Sequence, residues 1–196
     1  MIAKPVLAAA MAVSLLPGAT AQAQGRTQPF TVVETGKTFL KLQDAVNAIG
    51  DNRGTIRVAS GTHRQCAVQE RGVITYIAAE AGKAVLAGAA CEGKAGLVLR
   101  GLGAEVRGIT FTGYQVPDGN GAGIRLERGQ LNVAYARFLD SQQGILTASD
   151  PSSQIYIIRS TFSGLGTCEN SAGCAHSIYI GDYGKLTVLE SRFERG

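Results

Sequence analysis

The sequence predicts an all-β solenoid: coils of parallel strands stacked in register, with one short helix at the amino-terminal end. Three observations carry this. Four segments place a β-branched residue five positions before a phenylalanine, Val106 to Phe111, Val133 to Phe138, Ile157 to Phe162 and Val188 to Phe193, and the phenylalanines recur at intervals of 27, 24 and 31. Each follows a shorter strand that opens on a small residue and alternates apolar positions, GLVL (96–99), GIRL (123–126), GILT (144–147) and SIYI (177–180). The two markers keep step while the connections absorb the differences in length, as stacked coils do when insertions are confined to turns.

Period two within each strand assigns the faces. Leu97 and Leu99, Ile124 and Leu126, Ile145 and Thr147, and Ile178 and Ile180 point inward. Val98, Arg125, Leu146 and Tyr179 then form an outward column, with Arg100, Glu127, Ala148 and Gly181 as the next. In the partner segments Ile109 and Phe111, Ala136 and Phe138, Ser160 and Phe162, and Ser191 and Phe193 face in, so the phenylalanines form a ladder and Thr110, Arg137, Thr161 and Arg192 face solvent. A five-residue spacing is odd, so one flat strand cannot turn both the β-branched residue and the phenylalanine inward. A bend is therefore predicted at Gly108, Tyr135, Arg159 and Glu190.

Upstream the pattern changes. Leu42, Ala45, Val46 and Ile49 recur at helical spacing and stop at Gly50, which predicts a helix over Leu40 to Ile49, and Thr55 to Ala59 alternates as a strand. This stretch, followed by Ser60-Gly61-Thr62-His63-Arg64-Gln65, resembles the right-handed parallel β-helix proteins of the pectate-lyase-like superfamily, in which a helix of the LQDAVNAI type leads through a strand into a P-G-T-Y-x-E turn. Gly-Thr and the aromatic slot are kept, and three of the six turn positions differ. The resemblance covers Phe39 to Gly196 and implies a right-handed coil whose first turn is capped by the helix. It implies little about activity, because that fold carries lyases, hydrolases, epimerases, esterases, adhesins and tail-spike proteins.

Lys4, the apolar run Val6 to Leu16 and the small residues from Ala19 to Ala23 read as a secretory signal peptide over residues 1–23, the run being too short to span a bilayer. Residues 24–38 then form a linker and first strand, and 39–196 the β-helix domain. The expected location is periplasmic or extracellular, with no membrane span after signal removal. Because Phe193-Glu194-Arg195-Gly196 completes a repeat with nothing to close the stack, the chain is expected to be incomplete at its carboxyl end, its exposed edge taken by remaining coils or by another chain.

The net charge of +4 becomes +3 without Lys4, and the basic residues are scattered. That permits an acidic polysaccharide as partner and gives no aromatic and basic stripe for nucleic acid. Four cysteines in an oxidising compartment allow three pairings. Cys66 and Cys91 lie 25 residues apart, one coil by the repeat, and are expected to form one disulfide, and Cys168 and Cys174, six apart in a long connection, a second; a catalytic thiol beside His176 is the competing reading of the second pair. With no C-x-x-C pair and two histidines, no zinc site or other cofactor is identified. The acidic calcium set of the family's lyases is not recognisable either, which leaves calcium as a family analogy alone.

The densest chemistry lies in Thr167 to Gly184. His176 reads as a general acid or base at the lip of a groove, or as a turn residue bonding a carbonyl. Tyr179 and Arg125 share the outward column two coils apart, with solvated surface as the alternative. His63, in the family's Tyr slot, reads as structural, and Asp182-Tyr183-Gly184 as a tight turn. Two functions follow. In the first, a polysaccharide lyase or epimerase uses Arg125 to neutralise a uronate carboxylate, so that the adjacent C–H becomes acidic, while His176 or Tyr179 moves the proton. In the second, a non-catalytic β-helix binds glycan or builds a surface. The two differ in whether His176, Tyr179 and Arg125 converge in one concave groove.

Overall fold

A computed structural model describes Met1, residues 28–166 and residues 175–195 of the chain. It is a parallel β-helix of about five turns. The first sheet runs Tyr183–Leu189, Asp150–Ile158, Gln130–Ala134, Gly103–Arg107, Val73–Ala78, Arg53–Val58, and ends in Phe30–Val32 and Thr38–Phe39. The second runs Arg192–Glu194, Thr161–Leu165, Arg137–Ser141, Ile109–Thr112, Ala84–Ala87, Gly61–His63. The third runs Ile178–Tyr179, Gln143–Thr147, Ala122–Leu126, Ala95–Leu99, Ala67–Gln69. Each circuit visits the three sheets in that order, and all pairings between coils are parallel.

Parallel stacking in register puts like residues above one another. Phe111, Phe138, Phe162 and Phe193 are successive partners in the second sheet, and their rings stack with centroids 5.0, 4.8 and 4.9 Å apart. The ladder continues downward as Leu86 and His63, which is why two further coils escape a search keyed to phenylalanine. His63 is structural, as its place in the sequence suggests: its ring meets Phe30 edge-on and its Nε2 lies 2.8 Å from the Ala59 carbonyl oxygen.

The bend between the first two sheets falls where the odd spacing predicts it. Gly108, Tyr135, Arg159 and Glu190 have φ of 68°, 55°, 49° and 48°. A single residue in the left-handed region turns the chain, and three of the four carry a side chain there at a cost. The corner is braced: Arg159 donates to the Tyr135 hydroxyl at 2.9 Å and meets Glu190 Oε2 at 2.6 Å.

The helix is Leu42–Ile49, two residues shorter at its start than predicted. Leu40 is half exposed and Lys41 is extended, so the apolar periodicity that fixes the helix begins at Leu42. Its apolar face closes the core of the first coil. Phe30–Val32 pairs antiparallel with Arg53–Val58 and covers the edge of the first sheet. On the third sheet the Gln43 amide acts as a peptide group: its Nε2 donates to Val68 O at 3.0 Å and its Oε1 accepts from Val68 N at 2.7 Å. Backbone groups that would otherwise be orphaned at this end are thereby paired.

Candidate functional site on the third sheet

The third sheet owes its shape to the glycine that stands second in three of its strands, Gly96, Gly123 and Gly144. A Cβ on Gly123 would meet Phe138 Cδ1 at 2.8 Å, and one on Gly144 would meet Phe162 Cδ1 at 3.0 Å. These glycines therefore face the phenylalanine ladder, although the next residue, Ile124 or Ile145, also lies in the core. The strand kinks between them, and Ala122 and Gln143, which are partners, go to the outer face.

The next outer column is in the predicted register. Val98 pairs with Arg125, Arg125 with Leu146, and Leu146 with Tyr179, and the column extends down to Val68. Its exposure differs from expectation, because Val98 is fully buried and Leu146 is 8% exposed. They belong to a second apolar cluster on the outside of the sheet with Ala95, Ala122, Val68 and Cys91. The cause lies at the lower coils, where Cys91 folds back to bridge Ala95 and is bonded to Cys66 across a Cα separation of 5.5 Å. Cys168 and Cys174 lie outside the described residues. Thr110, expected at the surface, is also buried, its hydroxyl directed at Gly82 O.

Beside this cluster stands a lattice of charge. Arg100 reaches Glu70 at 2.6 Å, Glu92 at 2.5 Å and Glu127 at 2.5 Å, and Lys94 bridges Glu92 and Glu127 at 3.2 and 2.8 Å. Hydrogen bonds from Arg100 and then Lys94 hold the Glu92 carboxyl at about 2. Burial pushes Glu127 up, but bonds from the same two cations outweigh it and leave its pKa lowered. Arg125 joins this lattice, its Nε 3.8 Å from Glu127 Oε1.

His176 and Tyr179 do come together. Their rings meet edge-on with centroids 5.5 Å apart, and both side chains are exposed. The His176 main-chain carbonyl also accepts from Gly144 N, which ties this segment to the coil below. Arg125 lies two rungs below Tyr179, about 9.6 Å along the stack, with Leu146 between them. The cavity beside His176, about 480 Å³, is lined by Leu165, Ala175, Ile178, Leu186, Val188 and Phe193 and opens on the end of the core. Neither Tyr179 nor Arg125 lines that cavity.

Sequence reasoning missed two features. Gln143 is 4% exposed, donates to Asn120 Oδ1 at 2.9 Å and leaves its own Oε1 without a partner among the described residues. The available signal was an amide standing where the coils below carry Ala95 and Ala122. The second is a groove of about 490 Å³ at the corner between the third and first sheets, lined by Arg71, Arg100, Leu102, Arg128, Asp150 and Ser152 among others. The Arg128 guanidinium is oriented there by the carbonyls of Arg100 and Glu70. Asp150 accepts from the Ser152 hydroxyl and from Gly129 N, which hold its carboxyl at about 2. Asp182-Tyr183-Gly184 is not the tight turn expected: Tyr183 and Gly184 begin a strand. Glycine is needed at 184 because a Cβ would meet Pro151 O at 2.4 Å.

Among the described residues no group of three or more His, Cys, Asp or Glu is placed to hold a metal, and no helix is long and apolar enough to cross a membrane. No protein-family model matches the chain, and no curated protein or solved structure is significantly similar to it.

Proposed function

We propose that this is an exported parallel β-helix that binds an acidic, uronate-containing polysaccharide without cleaving it. The carrying observation is the interposition of Leu146. Elimination or epimerisation at a uronate needs the carboxylate-binding cation and the proton-moving group on one sugar, whereas Arg125 is two rungs from Tyr179. Binding needs only a polar groove with an oriented cation, and the corner groove supplies Arg128, held by the Arg100 and Glu70 carbonyls, beside Leu102, which is 77% exposed, with Arg71 there paired to Asp51 and available only if that exposed pair opens. Export rests on the apolar run of residues 6–16 and on the Cys66–Cys91 disulfide, a bond that persists in oxidising compartments.

A lyase or epimerase is the second reading, favoured by the edge contact of His176 with Tyr179. Calorimetric titration of the protein with a panel of uronate oligosaccharides tests the first reading: binding that is weakened in Arg71→Ala and Arg128→Ala supports it, and binding to none of the panel removes it. Incubation with uronate polymers tests the second. Ultraviolet-absorbing unsaturated ends, or inverted sugar centres seen by NMR, that vanish in His176→Ala would replace the binding reading with a catalytic one.

A further inference from the structure

The groove at the corner between the third and first sheets runs along the stack rather than across it. Its lining begins at Asp51, beside the first coil, and ends at Ser152 and Ser153 on the fifth, so it extends over four rung steps, about 19 Å. Carrying the pairing of Arg53, Val73, Gly103 and Gln130 back by two residues puts Asp51, Arg71, Gly101 and Arg128 at one place on successive rungs. The floor is free of side chains at Gly72, Gly101 and Gly129, where a Cβ would stand 2.4, 2.7 and 2.2 Å from the Asn52, Gly72 and Gly101 carbonyl oxygens. An extended sugar chain advances by about one strand spacing per unit, so this floor holds about four sugars in line.

The charges along it balance, Asp51, Glu70 and Asp150 against Arg71, Arg100 and Arg128. They are not equally engaged. Arg71 pairs with Asp51 at 2.9 Å, and Arg100 is held by Glu70, Glu92 and Glu127. Of the three arginines, Arg128 has no carboxylate partner among the described residues: its Nε donates to the Arg100 carbonyl and its Nη2 lies 3.5 Å from that of Glu70. One edge of the guanidinium is thereby fixed on the backbone. The Nη1–Nη2 edge is left, the pair of donors that takes a carboxylate in two parallel bonds.

Next above Arg128 stands a carboxylate. Asp150 accepts from Gly129 N at 2.8 Å and from the Ser152 hydroxyl at 2.7 Å, bonds that favour its ionised form. Below, the Glu70 and Asp51 carboxylates already hold their arginines. A second acid group one sugar away from the first therefore meets a carboxylate on either side, whereas a hydroxyl there finds an acceptor.

We propose that the groove is specific for a polysaccharide in which an isolated uronate stands between neutral sugars, laid parallel to the stack with its carboxylate on the Arg128 Nη1–Nη2 edge and flanking hydroxyls on Asp150 and Ser152. This specificity rests on the reading of the groove as a uronate-binding site, and it narrows the ligand. One free cation over five coils matches one acid in several sugars, and a chain charged at every sugar does not fit. Leu102, 77% exposed, adds an apolar surface for the C–H face of a ring.

Calorimetric titration of the native protein with three pentasaccharides of one backbone tests this: the first neutral, the second with a single central uronate, the third a uronate throughout. The second is expected to bind about fivefold more tightly than either of the others, the effect of one exposed ion pair. Arg128→Gln is expected to lower it to the affinity of the neutral chain, and Asp51→Asn, which frees Arg71, to improve the all-uronate chain more than the mixed one. The comparison of the three chains on the native protein decides even where a variant fails to fold. An all-uronate chain that binds as tightly as the mixed one overturns the specificity and leaves the binding reading standing. A mixed chain no tighter than the neutral one overturns the role of Arg128 and the specificity with it, and binding of none of the three removes both readings.

Discussion

Gly123 lies so close to Phe138 that a Cβ on it would stand 2.8 Å from the ring's Cδ1 and 2.9 Å from Phe111 Cβ. Its φ is not in the left-handed region, so the requirement is purely for space. Gly123→Ala is expected to destabilise the fold by about 1–3 kcal/mol through overpacking, measured by chemical denaturation. Phe138→Ala, at a ring stacked on both sides, is expected to cost about 3–5 kcal/mol, and Phe193→Ala clearly less because its ring is half exposed.

The corner column gives a comparison that cancels other losses. Tyr135→Gly and Tyr135→Ile both remove the bond from Arg159, but only isoleucine must hold φ near 55°. The glycine variant is expected to be more stable than the isoleucine variant by about 1–2 kcal/mol, read from paired thermal melts. Equal stability would show that the bend relaxes once the side chain changes.

Opening the Cys66–Cys91 bond releases a loop of 25 residues and loosens the cover over Val98. Replacing both cysteines with alanine is expected to cost roughly 3–4 kcal/mol on the chain-entropy account. Denaturant midpoints compared with those of the native protein, with and without reductant, check it: reductant should lower the midpoint of the native protein by more than that of the variant.

Acid should dismantle the lattice around Arg100. The Glu92 carboxyl titrates at about 2 in the folded chain against an ordinary 4.5, because Arg100 and Lys94 hydrogen-bond its charged form. A depressed folded pKa gives stability that is complete above the ordinary carboxylate range and lost as pH falls from there towards 2. Melting temperatures of the native protein and Glu92→Gln are therefore expected to differ at pH 6 and to converge near pH 2.

The coil was legible because stacking repeats one constraint many times. The phenylalanines, the strand-opening small residues and the odd spacing that forces Gly108, Tyr135, Arg159 and Glu190 into a bend are each a rule met once per rung. Where a rung breaks the rule, as Leu86 and His63 do in the ladder, the pattern disappears from the sequence while the coil persists. The candidate site was less legible. The column of Arg125, Leu146 and Tyr179 was in register as read, but period two cannot say which outer residues a returning loop will cover.

The sequence by itself thus determined the winding: which residues face in, where each circuit bends, and that a helix begins the stack, since all of these follow from local periodicity and sterics. Only the tertiary structure decided that Val98 and Leu146 are buried on the outside, that Arg125 stands 3.8 Å from Glu127 and two rungs from Tyr179, that Gln43 closes an edge as a peptide would, and that Arg71 and Arg128 line one groove. Those contacts join residues of different coils through side chains and loops, and no spacing along the chain encodes the distance between them.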